Sequence, residues 1–104
     1  MDKPIKYWKL KLRLGLLTSP YRHYSIIAEG IAGEMAEAYD CPKGNAYMGL
    51  KVWATSTDEA SEMIQEIAAQ IGFNIQGHIN VYTSEPTEPP QKYPFGYGIN
   101  FHSF

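Results

Sequence analysis

Residues 56–72 leave the chain few folds to choose from. Ser56 is followed three residues later by Glu59, the spacing of a capping box, and Asp58, Glu59 and Glu62 put negative charge where a helix N-terminus favours it. Ala60, Met63, Ile64, Ile67, Ala68 and Ile71 then recur on one stripe, and Gly72 stands where a C′ glycine ends a helix. Such a stripe must be buried against another element, and both flanks supply one. Before the helix, Ala46, Met48, Leu50, Val52 and Ala54 alternate with Tyr47, Gly49, Lys51, Trp53 and Thr55. After it, Phe73, Ile75, Gly77, Ile79 and Val81 alternate with Asn74, Gln76, His78, Asn80 and Tyr82. Period two with one apolar face predicts half-buried strands, so the chain reads as a helix laid on a sheet.

The remaining segments extend that pattern. Trp8, Leu10, Leu12, Leu14 and Leu16 alternate with Lys9, Lys11 and Arg13, which predicts a strand over residues 8–16. Between residues 24 and 39, Ile27, Ile31, Met35 and Ala38 recur at helical spacing while Glu29, Glu34 and Glu37 fall elsewhere, which predicts an amphipathic helix. Gly30 and Gly33 would cost that helix about 1 kcal/mol each relative to alanine unless close packing requires them. C-P-K-G-N at 41–45 is a turn, and Tyr97, Ile99 and Phe101 mark a short last strand. The expected architecture is α+β or α/β. It is a two-layer sandwich of a three- to four-stranded sheet with two helices on one face, formed by residues 1–104 as a single domain. Alternation leaves the second sheet face free to meet solvent, the chain's own tail or another chain.

Residues 83–95 form a proline-rich loop leading into that last strand. Pro86, Pro89, Pro90 and Pro94 each fix their own φ and push the preceding residue toward extended geometry, so the loop is stiff. A stiff, exposed loop that carries tyrosine loses little entropy on binding, which suits recognition. Tyr93, Phe95 and Tyr97 with Glu85 and Glu88 are the expected partner-binding residues, joined by Trp53 and Tyr82 if the open sheet face takes part. An alternative is a ligand-binding or enzymatic pocket between the open face and this loop, built on His78, His102 and Arg22. A third reading is a homodimer through the open face.

Charge and missing motifs narrow the classes further. Residues 1–28 hold six cations against Asp2 alone, whereas residues 29–66 hold eight acids against Lys43 and Lys51. A pI near 5.9 argues against nucleic acid even though the open face mixes basic and aromatic residues. No apolar run reaches the roughly 18 residues that span a bilayer, and M-D-K-P-I-K-Y-W lacks the apolar region of a secretory signal, so a cytoplasmic protein is expected. Cys41 is the only cysteine, which excludes an internal disulfide and a cysteine-built zinc site. Without ligand spacing among the three histidines, or a P-loop, G-x-S-x-G or G-x-G-x-x-G motif, no metal, cofactor or catalytic residue is assigned.

The C-terminal half resembles small bacterial proteins in which I-x-V-Y is followed by T-x-E-P-x-x-P-P and P-x-G-Y-x-I-x-F. Those elements read here as Ile79 to Tyr82, Thr83 to Pro90 and Pro94 to Phe101. In size and shape the chain is similar to the immunity proteins of bacterial polymorphic toxin systems. That resemblance implies a protein that binds and neutralises a toxin domain without catalysis, and it carries no residue-level pattern.

Overall fold

A computed structural model describes residues 7–35, 39 and 41–104. The elements are α1 (Trp8–Arg13), β1 (Arg22–Ala32), β2 (Gly44–Ala54), α2 (Thr57–Ile71), β3 (Phe73–Thr83) and β4 (Phe95–Ser103). The four strands form one open sheet in the order β3-β1-β2-β4, and every neighbouring pair is antiparallel. The fold is α+β. β1 and β2 form the central hairpin, and β3 and β4 are added to opposite edges after α2.

The second helix is built as its sequence requires. Ser56 Oγ accepts from the Glu59 amide at 3.1 Å, and Gly72 ends the helix at φ 95°. The reciprocal arm of the capping box is displaced by one residue, because Glu59 Oε1 accepts from the Thr55 amide. Ala60, Ile64, Ala68 and Ile71 are buried against Ile26, Ala28, Ala46, Met48, Leu50 and Val52. Alanines on both layers let the helix sit close to the sheet, and the larger side chains interdigitate around them.

Two expected elements are exchanged. Residues 8–16 do not form a strand: residues 8–13 are the short helix α1, which buries no residue. Their apolar members are tryptophan and leucines with no β-branched residue, and leucine, lysine and arginine are strong helix formers. Residues 22–32, expected as helix, are the central strand β1. Tyr24, Ile26, Ala28 and Ala32 alternate on its buried face, while Ile27 and Ile31, read as a helical stripe, lie on the opposite face and are exposed. Isoleucine prefers a pleated surface, and buried neighbours on both sides outweigh the 3.6-residue spacing. Residues 36–38 of that expected helix lie outside the described residues.

Two bulges interrupt the sheet, and one of them changes which side chains share a face. The β1/β3 register shifts between Ala28 and Gly30, where Gly77 has φ 93°. The β2/β4 register shifts between Gly49 and Lys51, where Gly98 has φ 66°. An extra residue at Gly98 reverses the alternation of β4. Ile99 and Phe101 pack on the core, whereas Tyr97, expected beside them, pairs with Lys51 on the open face.

Gly30 shows what the β1/β3 bulge demands. A Cβ there would overlap the Asn74 carbonyl oxygen and stand 2.9 Å from its carbonyl carbon, whereas a Cβ on Gly33 meets only an ordinary 3.5 Å contact. Gly30→Ala should therefore cost about 3 kcal/mol or more in urea denaturation, the upper range for overpacking. Gly33→Ala should remain within about 1 kcal/mol of the parent.

Candidate functional site

β3 and β4 occupy opposite edges, so residues 84–94 must cross the whole sheet. Three strand spacings make that crossing about 14 Å. These residues form a strap over one end of the open face, above His23 and Trp53, which are directly paired on β1 and β2. The strap leaves His23 7% and Trp53 4% exposed, although both belong to the face that α2 does not cover.

Four points tie the strap down. The Ser84 amide donates to the His23 carbonyl at 3.3 Å, and the Trp53 indole N–H donates to the Glu88 carbonyl at 2.9 Å. The Thr87 amide donates to the Tyr97 hydroxyl at 3.0 Å, and the Tyr21 hydroxyl donates to the Lys92 carbonyl at 3.2 Å. Three of these four bonds join the strap backbone to aromatic side chains.

His23 is the centre of this arrangement. Its Nδ1 lies 3.0 Å from the Ser84 carbonyl oxygen, which only accepts, so Nδ1 carries the proton. Its Nε2 lies 2.6 Å from the Tyr97 hydroxyl, which donates to it. Ser25 Oγ donates to Ser84 Oγ at 2.7 Å and extends the network onto β1. Burial holds the imidazole below its ordinary value of 6.5, outweighing the Ser84 carbonyl bond that favours the cation. Lys51 adds to the lowering and Glu85 opposes it. Burial therefore favours the neutral ring, the form that accepts from the Tyr97 hydroxyl.

The expected partner-binding residues divide into supports and exposed groups. Trp53 and Tyr97 face inward under the strap. Tyr93 is 59% exposed, and a run of rings joins it to the sheet: Tyr93 to Phe95 at 6.5 Å, then Phe95 to Tyr97 at 5.8 Å. Glu85 and Glu88 are exposed on the strap, and Tyr82 is exposed on the open face. The alternative set does not converge. His78 is on β3 and His102 on β4, at opposite edges, and Arg22 begins β1 beside the strap. β3 and β4 do not pair, so His78 and His102 are not neighbours.

Sequence reasoning gave His23 no role. One signal was available: a histidine that shares a side with Ile27 and Ile31, opposite Tyr24, Ile26 and Ala28. Arg22 lines a cleft of about 410 Å3 with Lys9, Arg13 and Glu85, between α1 and the strap. A second depression, of about 520 Å3, lies on the uncovered part of the open face. Among the described residues, no three His, Cys, Asp or Glu side chains converge as a metal site, and no helix is long and apolar enough to cross a membrane.

No protein-family model, curated protein or solved structure matches this chain.

The buried imidazole makes stability depend on pH. Unfolded His23 titrates near 6.5 and folded His23 below it, so in that interval the unfolded chain binds the extra proton. Stability is complete above pH 6.5 and falls as the pH drops below it, by at most about 1.4 kcal/mol per pH unit for one proton. Urea denaturation from pH 7.5 to 5 should show this slope in the parent and a shallower one in His23→Gln. Tyr97→Phe leaves Nε2 buried without a donor and should cost about 1–3 kcal/mol, with faster hydrogen exchange at the Thr87 amide.

Proposed function

We propose that the chain is a non-enzymatic protein-binding module whose interface is the strap and the aromatic arm leading from it into β4. The observation that supports this reading is preorganisation combined with exposure. The strap is held by hydrogen bonds at Ser84, Thr87, Glu88 and Lys92, yet it presents Tyr93 to solvent beside Phe95. A loop already ordered before contact loses little further entropy on binding. Tyrosine supplies an amphipathic anchor of the kind that dominates interface energies.

Charge supports a basic partner. Glu85 and Glu88 lie exposed on the strap itself. Acidic groups around an aromatic anchor steer a cationic domain into register and raise its association rate. In this reading the chain acts in the bacterial cytoplasm as an immunity protein, silencing a toxin domain by occupying its surface.

The test is affinity for a co-purifying protein partner, measured by calorimetry with the parent and two variants. Tyr93→Ala should weaken binding at least tenfold while Tm stays within about 2 °C, and Glu85→Lys/Glu88→Lys should slow association. Growth of cells producing the partner should be restored by the parent and not by Tyr93→Ala. Equal binding by all three proteins would remove the strap from the interface.

A further inference from the structure

The part of the open face beyond the strap is not an ordinary solvated surface. It sinks into the groove of about 520 Å3, inside the range of small-molecule sites. Pairing sets its floor in three rows: Tyr82, Ser25 and Lys51; then Ile27, Gly49 and Asn100; then Tyr47 and His102. Rows on one face are about 6.7 Å apart, so the floor accommodates one or two fused rings.

Gly49 makes the depression. It lies at the centre of the middle row and offers no side chain, and a Cβ there would stand 2.6 Å from Asn100 Oδ1. Asn100 Nδ2 donates to the Gly98 carbonyl at 3.3 Å, which orients the carboxamide with its oxygen over Gly49. Tyr82 at one end and Tyr47 at the other are both exposed; the Tyr47 ring is backed on one side by Phe104 at 4.5 Å, which leaves its other side and the Tyr82 ring to flank a flat ligand.

One formal charge lines this groove. Lys51 is half-buried, and among the described residues no carboxylate lies within ion-pair distance of it. A cation partly removed from water without a counter-ion is stabilised by an anion, and the apolar surroundings strengthen that attraction. We propose that the groove binds a small planar aromatic carboxylate. Its ring lies between Tyr82 and Tyr47 beside the Asn100 carboxamide that covers Gly49, its carboxylate meets Lys51 Nζ, and Asn100 Oδ1 accepts from a ring N–H or hydroxyl. This site is separate from the strap and does not depend on its role.

The test uses the full chain with two probes of the same shape, indole-3-acetate and the neutral indole-3-acetamide, in amide NMR titrations up to 5 mM. The acid should shift the Gly49, Lys51 and Asn100 signals and bind at least tenfold more tightly than the amide. Lys51→Met should abolish that difference at unchanged Tm, Lys51→Arg should retain it, and Tyr93→Ala should leave it untouched. Equal affinity for acid and amide, no binding by either, or shifts confined to the cleft at Lys9, Arg13 and Arg22 would overturn the proposal. So would sedimentation showing a dimer that Tyr47→Glu dissociates, since a second copy would then be the occupant of the face.

Discussion

Crossing from one edge of the sheet to the other is the task on which the C-terminal half of this molecule depends, and a neutral imidazole makes it possible. Once β3 and β4 have been added to opposite sides of the β1–β2 hairpin, the chain must pass over the end of the sheet. Its backbone amides and carbonyls there have no strand to pair with. His23 reads both ends of the crossing. One nitrogen donates to Ser84 where the strap leaves β3, and the other accepts from Tyr97 where the chain has entered β4. Protonation would place a second donor on the ring and force the Tyr97 hydroxyl, which already accepts from the Thr87 amide, to turn from donor to acceptor, so the neutral form suits the strap geometry better.

The glycines that interrupt the strands determine which aromatics are available for recognition. Without the extra residue at Gly98, Tyr97 would share the core face with Ile99 and Phe101, and His23 would lose its donor. The reversal also places Gly96 on the core face, where the main chain approaches Leu50 and Ile67 so closely that a Cβ would stand 3.2 Å from each. The proline-rich strap and the bulge are one construction: the first carries the chain across, and the second turns its aromatic residues toward the strap.

Much of this was legible in the amino-acid order, and the exceptions have physical causes. The helix Thr57–Ile71 and the strands Gly44–Ala54 and Phe73–Thr83 follow from capping, stripe and alternation, because local preference and tertiary burial agree there. Residues 8–13 and 22–32 were exchanged because period alone was weighed against composition. Five apolar residues in alternation suggested a strand, yet a segment of leucine and lysine that joins neither sheet edge takes its intrinsic helical preference. Ile27 and Ile31 suggested a helix, yet a central strand is apolar on both faces when its outer face also lines a groove. The site was half legible. Prolines and tyrosines marked the strap, but the partners of His23 come from three separate stretches, and only the register of the sheet brings them together.

The strap and the groove are adjacent regions of one face, and they share residues. Ser25 lines the groove and donates to Ser84 on the strap. Lys51 lines the groove, and its positive field is one of the influences holding His23 neutral. An anion bound at Lys51 would cancel part of that field and make the imidazolium less unfavourable, which weakens the preference for the closed network. The coupling is reciprocal: a partner that holds the strap closed keeps His23 neutral, withholds a second positive charge from the groove and so weakens the attraction for an anion at Lys51. Its size is bounded by screening, because both groups lie near the surface and only His23 is well buried. The desolvation that the strap itself imposes remains the larger influence on the ring, so the strap sets the state of His23 and the groove adjusts it.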